Sequence, residues 1–282
     1  MKLNKPNAEF FIPDNITLIA AIERTTHMAV AAHQDDIEIM AYDGILKCFG
    51  KEKEWFFGTV VTNGAGSPRD DLYGDYSDEQ MQGIRKHEQK KAAYVGEYGA
   101  LALLDYSSSE VKDAANDILV DELVQLISLA RPRVIYTHNL ADKHDTHVSV
   151  VIRLIKALRK LPVQLRPEKL YGCEVWRNLD WVNDEEKVFF DVSAHPNLAA
   201  SLVEVFDSQI CGGKRYDSAT VGRRLANATY AASHGVDNTI SLSYGMDLTE
   251  LMNDSTIDII DFIKGYIKRF EEDVVNRINK IK

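Results

Sequence analysis

Short apolar runs alternate with segments of helical period along most of the chain, and this alternation restricts the fold more than any single residue does. The first run, His27-Met28-Ala29-Val30-Ala31-Ala32, is bounded by polar residues and predicts a buried strand. It leads into a stretch from Asp35 to Phe49 that is rich in helix formers and stops at Gly50. Trp55 to Thr62 predicts a second strand, ending in Asn63-Gly64-Ala65-Gly66, and a polar loop follows over 67–78. Next come a helix from about Glu79 to Glu97, the short run Leu101 to Leu104, and a helix from about Val111 to Ala130. Arg133 to Thr137 predicts another strand, and after the loop 138–147 a helix runs from Val148 to Lys160, closed by Pro162. Lys169 to Trp176 and Lys187 to Val192 read as strands, followed by helical patterns over 196–210 and 218–233. A strand-like piece, Thr239 to Tyr244, precedes an amphipathic helix from about Thr256 to Ile281. Strands and helices in this order imply right-handed crossovers and a mostly parallel sheet covered on both faces, an α/β fold with further strands and helices toward the C-terminus.

Bulk properties narrow the function. A chain of 282 residues buries a core without disulfides, and one domain over 1–282 is the simplest partition. The net charge of −10 opposes a phosphate backbone, and no cluster of basic residues is interleaved with aromatics, so nucleic acid is not an expected partner. Cys48, Cys173 and Cys211 form neither a CxxC pair nor a disulfide framework, which suits a reducing compartment. The start of the chain lacks the apolar stretch of a signal peptide and no run approaches a membrane span, so the expected location is the cytoplasm. Gly64-Ala65-Gly66 lacks the third glycine of a dinucleotide loop, since Arg69 occupies its place, and no GxSxG elbow is present.

Two polar clusters follow strands and carry chemistry. His33, Asp35 and Asp36 come just after the first strand, and His144 and His147 lie beyond the strand that ends near Thr137. A parallel sheet brings both to the same rim, where ligands of such sheets bind. Two histidines and a carboxylate can hold a divalent ion such as Zn²⁺ and leave a position open for water, the arrangement of a catalytic site. Asp36, at i+3 from His33, is the better ligand of the two adjacent acids, which leaves Asp35 as general base. His144 and His147, at i and i+3, can face one centre and divide the work of ligand and of acid or oxyanion stabiliser. His138 leaves its strand directly, nine residues before His147, and fits a supporting place beside a metal better than ligation.

The run Ala32-His33-Gln34-Asp35-Asp36, with Glu38 beyond it, resembles the AHPDD signature of the LmbE/PIG-L zinc-dependent de-N-acetylases, and Asp142-x-His144-x-x-His147 resembles their second metal motif. Gly64-Ala65-Gly66, Arg69, Arg85-x-x-Glu88 with Ala92 and Gly96, and Ser208-Gln209 extend the similarity over most of residues 27–210. The resemblance implies a Rossmann-like sheet, a Zn²⁺ cofactor (or another divalent ion such as Fe²⁺), and removal of acetyl groups from N-acetylglucosamine conjugates. It implies His33, Asp36 and His147 as metal ligands, Asp35 as the base that activates water, and His144 as the group that stabilises the tetrahedral intermediate or protonates the leaving amine. Arg69 is its candidate sugar or carboxylate contact. Two positions depart from the pattern: Gln34 stands where proline is usual, and Asp145-Thr146 where Pro-Asp is common.

Two other readings compete. His33-Gln34-Asp35 also spells the HxD of a non-haem Fe(II) oxygenase, which a distant His147 would complete. A sugar-binding relative that keeps the site but has lost turnover through the Asp145-Thr146 change is the second. A homo-oligomer is left open by the sequence.

Overall fold

The apolar runs become strands of one eight-stranded sheet in a computed structural model that describes residues 1–282. In chain order the elements are β1 (Glu9–Phe11), α1 (Leu18–Glu23), β2 (His27–Ala31), α2 (Asp36–Met40), α3 (Tyr42–Cys48), β3 (Phe56–Thr62), α4 (Asp78–Val95), β4 (Ala100–Tyr106), α5 (Ser108–Lys112), α6 (Asp117–Ala130), β5 (Val134–His138), α7 (Asp145–Lys160), β6 (Lys169–Cys173), β7 (Lys187–Asp191), α8 (Pro196–Glu204), α9 (Asp207–Ile210), α10 (Tyr216–Tyr230), β8 (Leu242–Asp247), α11 (Thr249–Asn253) and α12 (Ile259–Ile281). The strand order is β1-β4-β3-β2-β5-β6-β8-β7. β4, β3, β2, β5 and β6 are mutually parallel, while β1 pairs antiparallel with β4 on one edge and β8 pairs antiparallel with both β6 and the edge strand β7 on the other. This is the mostly parallel, Rossmann-like α/β sheet that the alternation predicts.

The chain winds outward from β2 through β3 to β4 and then returns past β2 to place β5 on its other side. The reversal makes the β2/β5 boundary a topological switch point, where loops diverge and open a crevice at the carboxyl ends of the strands. Side chains of β2 show why the sheet is covered twice. Met28 and Val30 enter the core beneath α6 and α7, while Ala29 and Ala31 enter the opposite core with residues of α2, α3 and α8. No residue of β2, β3 or β4 is exposed, as a strand buried on both faces requires.

Some boundaries differ from the sequence expectation. The helix predicted over 111–130 is two, α5 and α6, because Ser107 and Glu110 form a capping box for the first and the Asn116 side chain accepts from the Ile118 N–H to start the second. The segment from Asp35 to Phe49 breaks at Ala41, and 196–210 breaks around Val205-Phe206. The last strand lies at Leu242–Asp247, three residues beyond the predicted start, because it is clamped between β6 and β7. β1 has only three residues, too few to show a period.

His27 begins β2 with its ring stacked on Tyr136. Burial, aided by Lys47 and Arg133, pushes its pKa down to about 4, against the opposing pull of Glu54 and Asp43. A histidine with a lowered native pKa contributes stability above its unfolded value of about 6.5 and loses that contribution as pH falls through its native value. Between pH 6.5 and 4 the metal-free wild type is therefore expected to lose about 3 kcal/mol more stability than His27→Asn. Urea unfolding of both proteins across that range checks it, and parallel curves would refute the assignment.

Candidate active site

β2 delivers its last residues into a tight turn at the switch point. Asp35 occupies the N-cap position of α2 with φ of 89°, a conformation costing about 1–3 kcal/mol for a non-glycine residue. Neighbours hold it there. Its N–H donates to Gln89 Oε1 at 3.2 Å, and the Gln34 side-chain amide donates to the Thr62 carbonyl at 3.0 Å. Arg85 of α4 donates both to the Gln34 carbonyl and to Asp35 Oδ2, the latter at 3.2 Å. Gly64 explains part of the Gly-Ala-Gly signal: its φ is +75°, and a Cβ there would lie 2.6 Å from Gln34 Oε1 and 3.0 Å from Arg85 Cδ. The glycine thus gives room to the turn that carries the acids.

Asp36 turns the other way. Its Oδ2 accepts from the His33 N–H at 2.7 Å and faces the histidines that β5 and α7 supply. His147, buried on the first turn of α7, directs Nδ1 to Asp142 Oδ2 at 3.4 Å and Nε2 to Asp36 Oδ2 at 3.3 Å. Asp142 is itself fixed by the N–H groups of His144 and Trp176 at 3.1 and 3.2 Å. Such a carboxylate–histidine pair leaves the far nitrogen free to bind a metal.

Three atoms, His33 Nδ1, His147 Nε2 and Asp36 Oδ2, form a nearly equilateral triangle with edges of 3.1, 3.2 and 3.3 Å. Tetrahedral coordination with bonds of about 2.0–2.1 Å separates neighbouring ligand atoms by about 3.3–3.4 Å, so these donors fit one face of a Zn²⁺-type site. Two overlapping groups meet at His147: His33, His144 and His147, and Asp36, His138 and His147. Hydrogen bonding sets His138 and His144 apart. His138 Nε2 accepts from the Ala32 N–H at 2.8 Å, and its ring stacks on His147 with centroids 3.9 Å apart. His144 caps α7, its Nδ1 accepting from the Thr146 N–H at 3.3 Å. That bond places the proton on Nε2, which makes the outer edge of His144 a donor.

Electrostatics separates the adjacent acids. Burial alone would raise the pKa of Asp36, but His147, His138 and His33 outweigh it and hold the carboxyl far below its ordinary range. Asp35 is pushed well above that range by burial, with Asp36, Glu38 and Glu88 adding and Arg85 opposing. One carboxylate is thereby suited to bind a cation and its neighbour to accept a proton, as when environment splits a pair of like groups. His33 is pushed down to about 4, chiefly by burial, which keeps its lone pair free. Burial and His147 lower His144 too, so it stays neutral.

A cleft of about 490 Å³ opens above these groups, lined by His33, Asp35, Asp36, Arg85 and His144 and walled by Trp176 and Tyr216. The five residues expected from sequence, His33, Asp35, Asp36, His144 and His147, all converge there, His147 beneath the cleft floor. Arg69 does not reach it. Its guanidinium is held inside its own loop by the carbonyls of Ala65 and Tyr76 and by Asp78, so the structure gives it a bracing place, and Arg85 is the arginine of the cleft. The HxD triad of the oxygenase reading does not assemble, because Asp35 turns to Arg85 while Asp36 meets the histidines. Asp145 is exposed, and Thr146 contributes through its backbone. Arg85 and Gln89, spaced i and i+4 on α4, support Asp35. Their common helix face was visible in the sequence, but its partner across the fold was not.

Residues 28–158 match the family model PIG-L, described as GlcNAc-PI de-N-acetylase. The matched stretch carries all the candidate metal-ligating residues and gives this part of the chain a PIG-L (LmbE-like) domain match, shorter than the 27–210 span over which motifs resemble that family. No curated protein matches the chain by sequence. Among solved structures, GalB, the 4-carboxy-2-hydroxymuconate hydratase of Pseudomonas putida, superposes with a TM-score of 0.61 at 14% identity, covering 79% of this chain and 95% of that one. The N,N'-diacetylchitobiose deacetylase of Pyrococcus horikoshii gives 0.61 at 13%, covering 78% and 83%. A zinc-inhibited form of teicoplanin deacetylase gives 0.57 at 11%, covering 78% and 97%. At these identities the likeness is one of fold. No helix is long and apolar enough to cross a membrane.

Removing Asp142 tests the candidate metal site without touching any of its candidate ligands. Asp142→Ala is expected to weaken Zn²⁺ binding about 10–100-fold, the usual effect of losing the carboxylate behind a ligating histidine. His147→Ala should weaken it more. Titration with a competing chelator measures both, and unchanged affinity in His147→Ala would remove it from the ligand set.

Proposed function

We propose that this chain is a metal-dependent amide hydrolase that removes an acetyl group from an N-acetylglucosamine-type conjugate. One observation carries the reading: a three-donor face suited to a divalent ion lies beside an acid, Asp35, that burial makes basic and Arg85 holds toward the same cleft. The family match over residues 28–158 and the deacetylases among the structural neighbours support it.

His33, Asp36 and His147 would hold the ion, with Zn²⁺ or another divalent metal such as Fe²⁺ suited to two imidazoles and a carboxylate. A metal there supplies Lewis-acid polarisation of the acyl oxygen and of water. Asp35 takes the proton of the attacking water, its pKa raised toward the value that makes a carboxylate an effective base near neutral pH. Arg85 keeps that carboxylate aimed while its positive charge limits the rise. His144, neutral and with its proton on the outward nitrogen, donates to the oxyanion as the carbonyl becomes tetrahedral. Asp35, then protonated, or His144 returns a proton to the departing amine. The sugar-binding reading without turnover gains no support from the Asp145-Thr146 change, since the cap it forms with His144 is intact.

Asp35→Asn preserves shape and removes the base. It is expected to bind Zn²⁺ with wild-type affinity and to release acetate about 10²–10⁴-fold more slowly. The check is acetate release from a panel of N-acetylglucosamine conjugates by wild type and variant loaded with Zn²⁺ or Fe²⁺. If the metal-loaded wild type releases none from any conjugate, the hydrolase reading is wrong.

A further inference from the structure

α2 is only five residues long, yet it carries both acids of the site, Asp35 as its N-cap and Asp36 as its first residue. α4 holds its amide end through Arg85 and Gln89. Its carbonyl end lacks that help. The helix breaks at Ala41, whose backbone turns to φ −114° and ψ 22°, so no N–H follows to bond the carbonyls of Glu38 and Ile39. Both residues are buried, where an unpaired carbonyl is costly.

Arg224, on α10, closes this gap. Its guanidinium donates to the Glu38 carbonyl at 2.8 Å and to the Ile39 carbonyl at 3.1 Å, and its central carbon lies 4.9 Å from the centre of the Tyr42 ring. The residue is 4% exposed and pairs with no carboxylate. Burial pushes its pKa down to about 10, against the pull of Tyr42 and Glu174, so it remains a cation at neutral pH. A buried cation without a counter-ion persists only where hydrogen bonds offset its desolvation, and here the acceptors are the two carbonyls that end α2. The adjacent Arg223 donates to the Val175 carbonyl, next to Trp176, and Asn227 donates to Glu174 at 2.9 Å. α10 therefore fixes the turn that carries the acids against the wall that carries Trp176. It lies beyond residues 28–158, and Arg224 does not line the cleft.

We propose that Arg224 is a positioning residue for the candidate metal site: by holding the carbonyl end of α2 it sets Asp36 toward His33 and His147 and Asp35 toward the cleft, touching neither metal nor substrate. Its effect on metal binding rests on the donor triangle alone, whereas its effect on turnover rests on the hydrolase reading. Edges of 3.1, 3.2 and 3.3 Å between the three donors leave little slack. A single-turn helix moves as a unit, so a displacement of its last carbonyls reaches Asp36 within one turn, and sites of this kind work within about 0.5 Å of their geometry.

Arg224→Met keeps most of the volume and removes the donors. Arg159 provides the control: it also binds three carbonyls, those of Leu251, Asp254 and Ile257, but from the last turn of α7, about 18 Å along that helix from His147. Zn²⁺ affinity is measured by competition with a chelator, ligand geometry by the visible spectrum of the Co²⁺-loaded chain, fold by urea unfolding of the metal-free chain, and turnover by acetate release from N-acetylglucosamine conjugates. Arg224→Met is expected to bind Zn²⁺ about 10–100-fold more weakly, with an altered Co²⁺ spectrum, and to lower kcat more than it raises KM. Arg224→Lys, which returns a cation to the same carbonyls, should recover part of these losses. Arg159→Met should lower the urea midpoint while keeping wild-type Zn²⁺ affinity and spectrum. Where Arg224→Met does not fold, Arg224→Gln takes its place with the same outcomes. Wild-type affinity and spectrum in a folded Arg224 variant that lacks the cation overturn the proposal, as does an equal loss of affinity in Arg159→Met, which would trace the effect to stability. Acetate release separates the two readings. If the wild type binds Zn²⁺ and releases none, the hydrolase reading fails while the comparison of metal affinities stands; if the wild type releases acetate and Arg224→Met keeps its Zn²⁺ affinity and kcat, only this proposal fails.

Discussion

One oxygen organises the site. Asp36 Oδ2 accepts the His33 N–H and lies within 3.5 Å of a nitrogen on each of His33, His138 and His147. A carboxylate this deeply buried is costly unless matched by positive charge and hydrogen bonds, and the match here comes from two separate strand ends. The β2 turn gives His33 and Asp36, and the β5 exit and start of α7 give His138 and His147. These segments meet because the chain reverses its winding between β2 and β5, so the oxygen and the topology depend on each other. A metal ion would replace protons on the facing nitrogens and take over the same electrostatic role.

The unusual backbone at Asp35 follows from the need to keep two consecutive carboxylates apart. Successive side chains diverge, so one turn sends Asp36 to the histidines and Asp35 to Arg85. Positive φ at Asp35 is supported by α4, whose Arg85, Glu88 and Gln89 hold the Gln34 carbonyl, Ser208 and the Asp35 N–H. Gln34 adds a side-chain bond from the turn to the end of β3, its amide donating to the Thr62 carbonyl.

The structural neighbours include a hydratase as well as deacetylases, so the sheet and its crevice do not select a reaction. Selection comes from what lines the cleft. On the proposed hydrolase reading, a donor triangle, a buried acid of raised pKa and a capped imidazole are the groups that would serve attack of water on a polarised carbonyl.

Much of this was legible in the chain. The period of β2 and β5 placed His33, Asp35 and Asp36 just after one strand and His144 and His147 beyond another, because apolar runs between polar turns have few other solutions in an α/β fold. The separation of Asp36 from Asp35 by i+3 spacing was local geometry and readable too. Other features depended on contacts between distant segments. β1 was too short to show a period, the last strand took its bounds from pairing with β6 and β7, and Arg69 was drawn into its own loop by Asp78 and two carbonyls. Above all, the sequence by itself determined which residues could bind a metal and roughly where they stood, since that follows from residue type and period. Only the tertiary structure decided which nitrogen of each histidine was free, that Arg85 serves Asp35, and that Arg224 binds the carbonyl end of α2. Those outcomes come from hydrogen bonds and charges across tens of residues, and neither leaves a mark on local pattern.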